Sequence, residues 1–130
     1  MDEVARLGPK AILLVDDDPI VARAFRRQLE KLGYAVRTEG DPEQAAQVFG
    51  ADPSAFDLLI TDLGMPGLGG TELARVVHAL RPDLPILLVT GSKDDVDPTE
   101  ARDAGVVAVL QKPLTMDELD AAVAAALGAR

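Results

Sequence analysis

The sequence predicts an α/β domain built on a five-stranded parallel sheet, and three observations carry that expectation. Five short apolar runs punctuate the chain, amphipathic segments of helical period separate them, and Asp-Pro pairs open several of those segments. Strands that alternate with helices pair in parallel through right-handed crossovers, which yields a doubly wound sheet.

AILLV (11–15) is apolar throughout, as a strand covered on both faces should be. Asp18-Pro19 then opens a helix, with a capping carboxylate before a proline at the first helical position. Ile20, Ala24, Phe25, Leu29 and Leu32 share its apolar face, and Gly33 stops it. YAVRT (34–38) is less uniform and suits an edge strand. Asp41-Pro42 starts the second helix, with Asp41 and Gln44 at capping-box spacing. DLLIT (57–61) is the third strand, and TELARVVHALRP (71–82) is the helix beyond the following loop. PILLV (85–89) is the fourth strand. Asp97-Pro98 begins the fourth helix, Asp97 and Glu100 repeat the capping-box spacing, and Gly105 ends it. VVAVL (106–110) is the fifth strand, again apolar throughout. The last helix starts at Thr115, three residues before Glu118. It carries Leu119, Ala122, Val123, Ala126 and Leu127 on one face and stops at Gly128. Residues 1–10 read as a loose tail and 11–130 as the domain.

A chain of 130 residues suffices for one compact domain with a core and is too short for two. Apolar residues make up 48%, which excludes a disordered chain. A formal net charge of −9 disfavours nucleic acid or an anionic membrane as partner. Arg26, Arg27 and Lys31 read as the wet face of a helix, too few for a basic patch. There is no cysteine, so disulfides, thiolate chemistry and Cys-ligated zinc are excluded. The opening MDEVARLGPK lacks the shape of a signal peptide, and no apolar run approaches the roughly 18 residues of a membrane span. A soluble, cytoplasmic protein is expected.

Polar residues gather where the strands end. Strand 1 runs into Asp16-Asp17-Asp18, strand 3 into Asp62, strand 4 into Thr90-Gly91, and strand 5 into Gln111-Lys112-Pro113. Like charges about 4 Å apart repel by about 1 kcal/mol in water and about 4 kcal/mol near a protein surface, so three adjacent carboxylates need a reason. Capping accounts for Asp18 and leaves Asp16 and Asp17 unexplained. In a sheet of order 2-1-3-4-5, strands 1 and 3 are neighbours at the switch point where open α/β sheets bind ligands. Asp16, Asp17 and Asp62 then face one another across a crevice, with Thr90 and Lys112 closing one side. Three carboxylates in one pocket need a cation. With no cysteine and one histidine, the candidate is a hard, oxygen-binding ion, Mg2+ or Mn2+. A metal, a hydroxyl and a lysine suit a phosphoryl group, one carboxylate being the nucleophile that forms an aspartyl phosphate. Singly, Asp62 is a loop-starting carboxylate, Lys112 a solvated cation and Thr90 a turn hydroxyl. Their joint placement at one sheet edge is the signal.

ILLVDDDP (12–19), DLLITDLGMPGLGG (57–70), PILLVTG (85–91) and LQKPLT (110–115) closely resemble the receiver domain of bacterial two-component response regulators. The resemblance covers residues 10–128 and implies a flavodoxin-like (βα)5 fold. By it, Asp62 matches the phosphoacceptor. Asp16 and Asp17 match the acidic pair that holds Mg2+, Asp17 as the direct ligand and Asp16 through water. Gly64 matches the position whose backbone carbonyl reaches the metal. Thr90 matches the hydroxyl that binds the phosphoryl group and repositions on activation, and Gly91 the small residue that leaves room for it. Lys112 matches the cation that pairs with phosphoryl oxygens, and the Lys112–Pro113 bond is expected to be cis. The resemblance further implies Mg-dependent phosphoryl transfer to Asp62 from a histidine kinase or histidine phosphotransfer domain. No enzymatic activity is expected beyond the domain's own phosphorylation and dephosphorylation.

Three departures from the family pattern stand out. Val109 occupies the place where Tyr or Phe is frequent, three residues before the lysine. Gly69 stands where Asp is frequent. Gly64 and Ser92 are small at positions where the family varies side chains that tune dephosphorylation. His78 reads as a helix-surface histidine, because a phosphodonor histidine requires a helical bundle. Two rival readings compete with this one. A haloacid-dehalogenase-like phosphohydrolase would carry Asp-x-Asp-x-(Thr/Val), which Asp16 and Asp18 half mimic, but Ile20 fills the last place. A pseudo-receiver that docks without phosphorylation is opposed by the full set of site residues. No output domain follows Leu127, so the chain reads as a stand-alone regulator or as the receiver of a larger protein. DLGMPGLGG and AVLQKPLT resemble receivers appended to hybrid histidine kinases. Many family members form homodimers through the surface of the fourth helix, fifth strand and fifth helix, where Asp94, Asp95, Asp97 and Arg102 lie.

Overall fold

The computed structural model describes residues 8–128, so most of the expected tail at 1–10 lies outside the described residues. Strands β1 (Ala11–Val15), β2 (Ala35–Glu39), β3 (Leu58–Asp62), β4 (Ile86–Thr90) and β5 (Val106–Gln111) form one sheet in the order β2-β1-β3-β4-β5. All four strand pairs are parallel. Helices α1 (Pro19–Lys31), α2 (Pro42–Ala51), α3 (Gly70–Leu80), α4 (Pro98–Asp103) and α5 (Met116–Ala126) supply the crossovers and the closing helix. This is the doubly wound (βα)5 arrangement the sequence predicts.

Local chemistry accounts for the helix starts. The Asp18, Asp41 and Asp97 side chains each accept backbone N–H groups of the first turn, ahead of a proline at the first helical position. Of the three capping-box spacings, Thr115–Glu118 closes in both directions: the Glu118 N–H donates to Thr115 Oγ1 at 3.1 Å, and the Thr115 N–H to Glu118 Oε1 at 2.9 Å. Asp41 and Asp97 cap their helices without the reciprocal bond among the described residues. Gly33 ends its turn at φ +95°, in the left-handed region that side chains rarely adopt.

Alternate strand residues enter two cores. Leu13, Val15, Leu59 and Ile86 pack with Ala45, Phe49, Leu73 and Val77 from α2 and α3. Ile12, Leu14, Leu58, Ile60 and Leu87 pack on the other face with Phe25, Leu29, Leu119 and Val123 from α1 and α5. Each fully buried Leu or Ile among these contributes about 1.5–3 kcal/mol relative to exposure.

Two sequence expectations change. In α1 the buried face is Ala22, Phe25 and Leu29, whereas Ile20, Ala24 and Leu32 are exposed, Ile20 at 78%. Ile20 and Ala24 instead line a shallow groove with Pro113 and Leu114. The VVAVL run of β5 has the composition of a doubly covered strand, yet the strand order makes it an edge and leaves Val107 59% exposed. Among the described residues no helix is long and apolar enough to cross a membrane.

Candidate functional site

Register decides which residues meet. Val15 of β1 pairs with Thr61 of β3, so one step further Asp16 and Asp62 lie side by side at the C-terminal end of the sheet. Asp62 in turn pairs with Val89, so Thr90 lies one residue beyond it on the opposite neighbour. Thr90 pairs with Gln111, which delivers Lys112 to the same end.

The three aspartates of the opening run do different things. Asp16 is 4% exposed and bonded at both oxygens: Oδ1 accepts the Asp18 N–H at 2.9 Å, and Oδ2 accepts from Lys112 Nζ at 3.2 Å. Its own N–H donates to the Glu39 carbonyl at 3.1 Å. Asp17 is exposed beside it. Asp18 caps α1, its carboxylate accepting the Ile20 N–H at 3.0 Å and the Val21 N–H at 3.4 Å. A capping carboxylate tied to a helix N-terminus leaves the phosphohydrolase reading without its second aspartate.

Lys112 joins the two strand tips. Its Nζ lies 3.2 Å from Asp16 Oδ2 and 3.2 Å from Asp62 Oδ1. Burial alone would lower the lysine, but the Asp16 and Asp62 charges outweigh it and hold the ammonium above its ordinary value. Burial pushes the Asp62 carboxyl above its ordinary value; Lys112 pulls the other way, and the Asp16 and Asp17 charges add to the rise. The Lys112–Pro113 bond is cis, as the resemblance implies.

Asp16, Asp17 and Asp62 each offer a carboxylate oxygen within 4.8 Å of the others. Three carboxylates against one ammonium leave the cluster with excess negative charge, and an all-oxygen donor set suits a hard divalent cation. Gly64 lies exposed in the loop after β3, and Gly91 follows Thr90 with open space where a Cβ would stand. Thr90 is 3% exposed, and its hydroxyl is engaged twice within its own turn, donating to the Ser92 carbonyl at 3.1 Å and accepting the Ser92 N–H at 3.2 Å.

His78 lies on α3, facing the turn between α4 and β5. It is half-buried, not simply on the helix surface: its ring lies against Gly105, and its Nδ1 is buried without a hydrogen-bond partner. Sequence reasoning also passed over Gly70. A Cβ there would come within 2.9 Å of Leu63 Cα and 3.0 Å of Asp62 C, and closer still to the Asp62 carbonyl oxygen. The Gly-Gly pair directly before a helix was the available signal.

Comparison with known proteins agrees with this geometry. Residues 12–124 match the response regulator receiver domain family. The C4-dicarboxylate transport transcriptional regulatory protein DctD of Pseudomonas aeruginosa is 35% identical over 119 residues, covering 92% of this chain and 25% of that protein. The response regulator MprA of Mycolicibacterium vanbaalenii is 35% identical over 119 residues, 92% of this chain and 51% of its own. The chain thus spans a quarter to a half of these relatives. The response regulator TrrA of Thermotoga maritima, solved in complex with Mg2+ and beryllofluoride, superposes with a TM-score of 0.82 at 29% identity, covering 91% of this chain and 99% of that one. With the match spanning all five strands and the acidic cluster at their tips, this chain belongs to the response-regulator receiver domain family.

Proposed function

We propose that Asp62 is the phosphoacceptor of this receiver domain, and that the lysine bridging Asp16 and Asp62 is the observation that carries the assignment. An ammonium 3.2 Å from both carboxylates holds the nucleophile in place and waits where phosphoryl oxygens arrive. An Asp62 oxygen attacks the phosphorus of a phosphohistidine; the P–O bond forms as the P–N bond breaks, and the imidazole departs. The product carries about −1.5 to −2 charges and three acceptor oxygens, which Lys112 and the Thr90 hydroxyl can meet. Asp17, Asp62 and the Gly64 carbonyl would hold Mg2+ (or Mn2+), with Asp16, which also holds Lys112, in support through water. When bound, the ion neutralises charge on the transferring group.

The donor is then a histidine kinase or a histidine phosphotransfer domain, in the cytoplasm. The domain extends over residues 11–130, as a stand-alone regulator or within a longer protein such as a hybrid kinase. A homodimer through α4, β5 and α5 belongs to the same proposal, supported by the exposed Val107 on the β5 edge.

Acetyl phosphate with Mg2+ tests the assignment. One phosphoryl group should add to the wild-type mass, be removed by hydroxylamine, and be absent from a folded Asp62→Asn variant. A folded wild-type domain that stays unlabelled would favour the docking reading, and labelling that survives in Asp62→Asn would overturn the assignment. Phosphotransfer profiling against purified kinases then identifies the donor.

A further inference from the structure

The loop between β4 and α4 is held by side chains at the edge of the site. Thr90 is nearly fully buried, so its hydroxyl must stay bonded, and in this structure both of its bonds go to Ser92. One residue on, the Lys93 N–H donates to Gln111 Oε1 at 3.3 Å, across from β5. Below this point the Lys112 N–H donates to the Thr90 carbonyl at 2.8 Å, which fixes the strands beneath the loop. Gln111 is the only polar side chain in β5 (VVAVLQ), so no other residue of that strand can make such a bond. The loop beyond carries the 3-10 turn Lys93–Asp95 and then Asp97, the N-cap of α4.

We propose that the Thr90–Ser92 and Lys93–Gln111 bonds form a clasp that keeps this loop in its resting arrangement, and that Gln111 sets how readily a phosphoryl group on Asp62 opens it. The proposal rests on Asp62 as the phosphoacceptor. A hydroxyl has one proton. If it turns to a charged phosphoryl oxygen, a stronger acceptor than a carbonyl, its bond to the Ser92 carbonyl is lost. With that bond gone the Lys93–Gln111 bond breaks as the loop moves, and the shift reaches α4 through the Asp97 cap. Two rival acceptors for one proton make the element bistable, as a switch requires. Weakening the Lys93–Gln111 bond, made only in the resting state, must then tighten phosphoryl binding by the same factor.

The test uses the whole domain with Mg2+ and beryllofluoride as the probe. In Gln111→Ala, hydrogen exchange of the Lys93 amide in the free domain should rise about fivefold, the scale of one exposed hydrogen bond. Beryllofluoride should bind tighter by about the same factor. Gln111→Glu keeps an acceptor oxygen and should retain Lys93 protection. Unchanged Lys93 exchange in Gln111→Ala would overturn the clasp. Faster exchange with unchanged beryllofluoride affinity would overturn its role in the switch. A wild-type domain that takes no beryllofluoride would instead overturn the phosphoacceptor reading, and this proposal with it.

Discussion

Gly70→Ala tests how tightly α3 is seated on the strand end that carries Asp62. The atoms nearest an added Cβ are all backbone: the Asp62 carbonyl oxygen, Leu63 Cα at 2.9 Å and Asp62 C at 3.0 Å. No side chain can rotate out of the way, so either the α3 N-terminus or the end of β3 must move. Overpacking of this kind costs about 1–3 kcal/mol. Alanine's helix propensity offsets up to about 1 kcal/mol in a helix interior and less at the first helical position. A net loss of about 1–2 kcal/mol follows. Gly50→Ala is the control. Gly50 lies inside α2 with nothing within 4 Å of the added methyl, so propensity acts alone and the variant should gain about 0.5–1 kcal/mol. Urea unfolding with a common m-value reads both changes. Labelling by acetyl phosphate should also fall in Gly70→Ala, because displacing a reacting group by about 1 Å can cost about 100-fold. If Gly70→Ala is as stable as the wild type, or if both variants shift in the same direction, the close-approach argument is wrong.

Asp62→Asn should be more stable than the wild type at neutral pH. The folded-state pKa of Asp62 lies above its ordinary value, so its ionisation penalises the folded state in full above that raised pKa. The advantage of the variant should shrink as pH falls through the raised pKa and vanish below the ordinary value, read as the difference in Tm at each pH; a less stable variant at pH 7 would contradict the sign. Asp18→Ala removes the acceptor for two N–H groups of α1 and should cost about 1 kcal/mol in urea unfolding. Gly105→Ala should destabilise twice over, through its φ of +91° and through a Cβ 2.7 Å from His78 Cγ. Adding His78→Ala removes the ring and should recover most of the steric part, leaving the His78 Cβ contact at 3.0 Å and the backbone strain, a positive coupling in a double-mutant cycle.

Much of the site was legible because the receiver pattern is written in short segments. Asp16, Asp17, Asp62, Thr90 and Lys112 stand directly at strand ends, and a strand end is readable from a few residues of composition. The division of labour among the three leading aspartates was half legible. Asp18 declared itself as a cap through the following proline, but that Asp16 is engaged at both oxygens depends on Lys112, 96 residues away. Gly70 escaped notice because its constraint comes from β3, outside its own helix. Ile20 was misassigned because helical period identifies an apolar stripe without saying how far along it the sheet reaches.

By itself the sequence determined what is local: where helices begin, which residues alternate into a core, and which strand tips carry charge. Those properties depend on neighbours within about one turn or one pleat, and the chain carries them wherever it goes. Tertiary structure alone decided the Lys112 bridge, the raised Asp62 carboxyl, the exposure of Val107 and the fit of Gly70. Each arises from segments brought together by strand order and register, where burial and charge act through space between residues that no local pattern connects.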